Sequence, residues 1–87
     1  MSEEAVKAYA YVKASSYRVE VVKILKNREF ETPWAISRDT GINLRHVSKV
    51  LRELKDSGVA VCINENARKG RLYKLTDLGN EFIKFIN

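Results

Sequence analysis

Apolar positions along this chain recur first with the period of a helix and later, for one short stretch, with the period of a strand. Tyr17, Val21, Ile24 and Leu25 fall at i, i+4, i+7 and i+8, the stripe of an amphipathic helix that runs to about Asn27. Upstream, residues 3–14 hold good helix formers and no breaker, so residues 1–14 read as a helical extension. Ser15-Ser16 either caps a fresh helix or lies inside a longer one. Thr32-Pro33 then supplies an N-cap and an N1 proline, opening a short helix that stops near Thr40, where Gly41 can take the left-handed C-cap conformation. Asn43 can cap the next helix, which reaches about Ser57 and ends at Gly58.

Two short helices joined by a three-residue, glycine-containing turn over residues 32–57 are a helix-turn-helix pattern. Beyond Gly58 the pattern changes. Val59-Ala60-Val61-Cys62-Ile63 is β-prone and of strand length. In Arg71-Leu72-Tyr73-Lys74-Leu75 apolar and basic residues alternate, as in a strand with one buried and one wet face. The polar tip Asn64–Gly70 joins them, which predicts a hairpin over 59–75. Thr76 can cap a final helix of about ten residues within 76–87. The expected fold class is α+β: a winged helix-turn-helix with a three-helix core, a β-hairpin wing and flanking terminal helices.

Charge sharpens this picture. The net excess is +5 in 87 residues, and it is not spread evenly. Residues 43–75 carry eight bases against three acids, while the flanking stretches balance. An excess confined to one segment is the footprint of a polyanion-binding surface. On a helical wheel Leu44, Val47, Leu51 and Leu54 share the face expected to pack on the core, with Val50 at its edge. Arg45, Lys49 and Arg52 lie opposite, flanked by His46 and Ser48. A major groove about 12 Å wide admits one helix, where arginine can donate bidentately to guanine and lysine offers a point charge. Asn43, at the helix start, can cap, touch a base or do both. At the hairpin tip Arg68, Lys69 and Arg71 flank Gly70, and such a loop suits the adjacent minor groove or its phosphates.

Other residues admit two readings. Trp34 falls off the stripe of Ile36 and is expected to be partly exposed, either against DNA backbone or a partner, or as an ordinary surface aromatic. Tyr9, Val12, Phe82, Phe85 and Ile86 offer more apolar surface than one small core needs, which suggests a twofold homodimer interface built by the terminal helices. The alternative is that the N-terminal segment folds back over the last helix within one chain. His46 reads as a polar flank residue and Cys62 as a buried strand residue.

Several classes are disfavoured. No apolar run approaches the ~20 residues that span a bilayer, and the acidic start Met1-Ser2-Glu3-Glu4 is unlike a secretory leader. A cytoplasmic compartment without a membrane partner is expected. With one cysteine and one histidine, an intramolecular disulfide is excluded and neither a metal nor another cofactor is expected. No nucleophile–base pair or glycine-rich phosphate loop suggests an enzyme.

The runs Tyr17-Arg18, Thr32-Pro33, His46–Leu54, Gly58-Val59 and Lys69–Thr76 together resemble small archaeal winged-helix regulators related to the MarR, ArsR and PadR groups. The resemblance covers nearly everything from Tyr11 onward. It implies a dimeric DNA-binding regulator, a repressor more readily than an activator, with Asn43, Arg45, His46, Ser48, Lys49 and Arg52 at the DNA. The chain departs from these groups in lacking the Cys and His clusters of metal-sensing ArsR proteins and the long C-terminal domain of PadR proteins, so the resemblance does not establish an effector response. The competing classes are a winged-helix protein–protein adaptor and a nonspecific nucleic-acid-binding architectural protein.

Overall fold

A computed structural model describes residues 1–86. The elements are α1 (Glu3–Lys13), α2 (Ser16–Asn27), α3 (Pro33–Thr40), α4 (Leu44–Asp56), β1 (Ala60–Cys62), β2 (Tyr73–Leu75) and α5 (Asp77–Phe82), followed by a 3₁₀ turn over Ile83–Phe85. The described residues form an α+β fold of five helices and one antiparallel two-stranded hairpin. Among the described residues no helix is long and apolar enough to cross a membrane.

Side-chain caps set the helix boundaries. Ser15 lies in extended conformation and its hydroxyl accepts from the Arg18 N–H, so the Ser-Ser pair separates α1 from α2. The Thr32 hydroxyl accepts from the Ala35 N–H with Pro33 in the first turn. The Asn43 carbonyl oxygen accepts from both Arg45 and His46 N–H at the head of α4. Thr76 caps α5 through the Gly79 N–H. Each cap satisfies an amide that the first helical turn leaves without a partner. Between α3 and α4, Gly41 sits at φ 76°, where a Cβ would be strained. Ser37 Oγ closes that turn by donating to the Ile42 carbonyl at 2.6 Å.

The hairpin pairs Ala60 with Leu75, Val61 with Lys74 and Cys62 with Tyr73. Its strands are shorter than the pattern suggests, although Ile63 N–H still donates to the Leu72 carbonyl at 2.8 Å. On the other edge of β2, Glu31 forms a single β-bridge with Tyr73. Glu31, two residues before α3, therefore adds a one-residue bridge to the hairpin and ties it to the entry of α3. A one-residue bridge has no periodicity, and nothing in the pattern of positions announces it.

One core joins all helices and the hairpin, centred on Phe82, Ile36, Leu51, Leu54, Val21, Val22 and Val47, and no charged or polar side chain among the described residues is buried in it. Three expectations change here. First, α1 packs on α5 within the chain. Ala5, Ala8 and Val12, at helical spacing, form a narrow buried stripe that lets α5 come close. Val12, Phe82 and Ile86 are thus 0, 0 and 1 % exposed, interior residues of one chain and not a free interface, whereas Tyr9 is half-buried and Phe85 exposed. Tyr9 closes over Phe82 and Phe85 at ring-centroid distances of 5.9 and 6.3 Å. This is the fold-back arrangement. Second, the last helix is shorter than ten residues, tightening into the 3₁₀ turn at Ile83; Asn87, in the expected span 76–87, lies outside the described residues. Third, Leu44 is not in the core. Val50 takes its place there, and Leu44 is 46 % exposed.

Arg18 ties three helices together from the surface. Its Nη1 donates to the Tyr11 carbonyl at 2.9 Å, its guanidinium lies 3.8 Å from the Tyr11 ring centroid, and its Nε donates to Glu53 Oε1 at 3.3 Å. The network fixes the back of α4 and turns its opposite face outward.

Candidate nucleic-acid interface

Because the core is apolar throughout, the chemistry of this chain is on its surface. The cations are concentrated where α4 and the hairpin loop meet. Arg45, Ser48, Lys49 and Arg52 are all exposed and, with Leu44, line a shallow concavity of about 520 Å³ along α4. A larger open groove of about 740 Å³ lies beside it. The start of α3 (Pro33, Trp34) forms one wall, Leu44, Ser48, Arg52 and Lys55 of α4 form the floor, and Arg68–Arg71 of the hairpin loop form the other wall. Residues 34, 52 and 69 are far apart in the chain, and the fold brings them around one channel.

What distinguishes this surface is which charges are already spent. Two of the three acids in the basic segment are paired: Glu53 with Arg18, and Glu65 with Lys55. Among the described residues no acidic side chain lies within ion-pair distance of Arg45, Lys49, Arg52, Arg68 or Lys69. These five exposed cations face solvent along α4 and the loop without counter-charges; Arg71, also without an acidic partner, is engaged by backbone carbonyls. Glu53 and Glu65, two acids that could neutralise these cations, are held elsewhere.

The loop that presents Arg68 and Lys69 is built, not slack. Asn64 spans its neck, accepting from the Leu72 N–H at 2.7 Å and donating to the Gly70 carbonyl at 3.1 Å. Gly70, at φ 67°, makes the return turn. Arg71, exposed at the groove, donates within the loop to the Ala67 and Glu65 carbonyls at 2.9 and 3.2 Å. It braces the loop, leaving Arg68 and Lys69 as its free cations. Lys55 pairs with Glu65 and tethers the loop to α4. The hydrogen bond and charge of Lys55 hold the Glu65 carboxyl below the usual carboxylate range, and Glu65 raises Lys55 in turn. Both groups are exposed, so the pair acts as a tether of modest strength.

The remaining candidates divide. Asn43 spends its side-chain oxygen on the helix cap and stays exposed. His46 is exposed and packs against Tyr17 at a centroid distance of 5.4 Å. Tyr17, read from periodicity as a core residue, is instead exposed beside α4. Trp34 is 62 % exposed, with the Arg38 guanidinium 5.1 Å from its ring centroid. Arg38 is shared with Asp39, whose carboxyl it and Arg28 hold below its usual range. Sequence reasoning missed Asn64, Lys55 and Glu31 as organisers of the loop. Of these, only Asn64, a turn-forming residue at the end of a strand, carried a local signal.

No protein-family model matches this chain, and no curated protein matches it.

Proposed function

We propose that this chain is a winged helix that binds double-stranded DNA sequence-specifically, as a transcriptional regulator. In this reading α4 enters the major groove and the hairpin loop lies on the adjoining backbone or minor groove. The observation that carries it is the set of exposed cations without acidic partners on α4 and the loop: Arg52, Arg68 and Lys69 line one channel with the start of α3, and Arg45 and Lys49 line the adjoining concavity along α4. Duplex DNA supplies one negative charge per ~1.7 Å of axis, so a surface of this kind gains affinity by releasing condensed counterions. Arg45, Ser48 and Lys49, near the head of α4, are the candidates for base edges, since recognition helices read bases with their N-terminal residues. Arg52, Arg68 and Lys69 are the candidates for phosphates, and Trp34 packs beside a sugar.

The reading is made for one chain. Packing of α1 on α5 has absorbed most of the apolar surface on which a homodimer rested. The test is selection from a random duplex library at two salt concentrations. An enriched motif, with affinity falling steeply as salt rises, supports the reading. Steep salt dependence without enrichment would reduce it to architectural binding. Absence of binding at low salt would overturn it and turn attention to a protein partner for the Trp34–Leu44 groove.

A further inference from the structure

Leu44 is the anomaly of the α4 surface. Its spacing to Val47, Leu51 and Leu54 assigns it to the core stripe, yet the fold leaves it 46 % exposed in the first turn of the helix. It does not sit among other core residues. It continues the row Leu44, Ser48, Arg52 at i, i+4 and i+8; one side faces the groove shared with Pro33 and Trp34, and on the other it is, among the described residues, the only apolar side chain lining the concavity that Arg45, Ser48, Lys49 and Arg52 otherwise form. An aliphatic side chain kept in water between cations costs hydration free energy that a partner can recover.

The partner must present a small apolar group in a strongly anionic, otherwise polar setting. In the major groove of DNA one group meets that description, the C5-methyl of thymine. Resting on the duplex-binding reading above, we infer that Leu44 is a specificity residue that packs on a thymine methyl. The neighbouring Arg45 and Ser48 then engage the polar edges of the flanking bases. Arg52, one turn further along the row, is placed for the phosphate backbone. The chemistry requires a methyl at one defined position and is indifferent to the rest of that base pair, so deoxyuridine in place of thymidine removes the recognised group while keeping Watson–Crick pairing.

The experiment uses the intact chain and the duplex motif enriched from a random library, prepared with thymidine or with deoxyuridine at each thymine in turn. The expected result is a loss of about fourfold in affinity at one position, the effect of one buried methyl-sized group. In Leu44→Ala that position is expected to lose its preference, so that both duplexes bind equally. Because Leu44 lies outside the core cluster, the variant is expected to melt with the wild type, which circular dichroism checks. Equal affinity of the wild type for all substituted duplexes would overturn the inference while leaving duplex binding intact. A methyl preference that persists in Leu44→Ala would assign the contact to another residue and overturn it as well. Failure to bind or enrich any duplex would instead sink the reading on which it rests.

Discussion

Glu31 and Tyr73 exchange both of their backbone hydrogen bonds, each at 2.9 Å, although 42 positions separate them. Tyr73 also pairs with Cys62 on its other side, so β2 is held from both edges. The bridge joins the entry of α3 to the hairpin, and the geometry of the basic channel depends on it: one wall is α3 and the other is the hairpin loop.

Glu31→Pro removes the N–H of that bridge and leaves the carbonyl of the buried Tyr73 without its donor. The expected cost is about 1–3 kcal/mol of unfolding free energy, read from urea melts. Glu31→Gln keeps the backbone bonds and loses only the surface pair with Arg28 at 3.7 Å. It is expected to stay within about 1 kcal/mol of wild type. If the two variants melt together, the bridge does not organise the fold.

Gly79→Ala tests the contact between α5 and the hairpin. A Cβ at Gly79 would lie 2.5 Å from the Val59 carbonyl oxygen and 3.2 Å from a Leu75 methyl. The backbone atom cannot swing aside as a side chain would. The helix must shift, at an expected cost of about 1–3 kcal/mol. Ordinary helix propensity predicts the opposite, a gain of roughly 1 kcal/mol for alanine over glycine, so thermal melts decide between them by sign.

Acidification should release the hairpin loop from α4. Glu65 is depressed by Lys55, so its contribution is present above the ordinary glutamate value of about 4.3 and is lost as pH falls through the lower folded value. Asp39, depressed by Arg38 and Arg28, behaves in the same sense near α3. Lys55 is raised, so its share is lost only at the alkaline end, as pH climbs through its elevated value. NMR titration is expected to show Glu65 protonating later than a free glutamate on acidification, with loop amides 64–72 moving in step. In Lys55→Gln the Glu65 transition should return to the ordinary range; no change there would mean the tether is absent in solution.

Much of the fold is legible in the chain because its boundaries are set locally. Thr32, Gly41, Asn43, Gly58 and Thr76 each stand at an element end, where a hydroxyl, an amide or a positive φ is required. The cationic face of α4 follows from a wheel, since Val47, Val50, Leu51 and Leu54 all turn inward. What escapes is set by long-range packing. Leu44 lies at the border of two faces of α4, and the packing of the fold leaves it exposed. Arg71 reads like Arg68 by composition, and its inward turn depends on the loop's carbonyls. Val12, Phe82 and Ile86 look surplus until α1 is seen lying on α5. The small residues Ala5 and Ala8 permit that approach, but they carry no signal of which surface they will meet.

The measurement that bears most directly on the central claim is the salt dependence of duplex binding for wild type and for the Arg68→Ala/Lys69→Ala double variant. These two loop cations are exposed and without acidic partners, so their removal should leave the melting behaviour unchanged. If they neutralise phosphates, the slope of log affinity against log salt should shrink by about two, roughly one for each cation lost. A binding slope that is the same for both proteins would contradict the account, because the loop would then lie away from the nucleic acid and the shared channel would have no part in recognition.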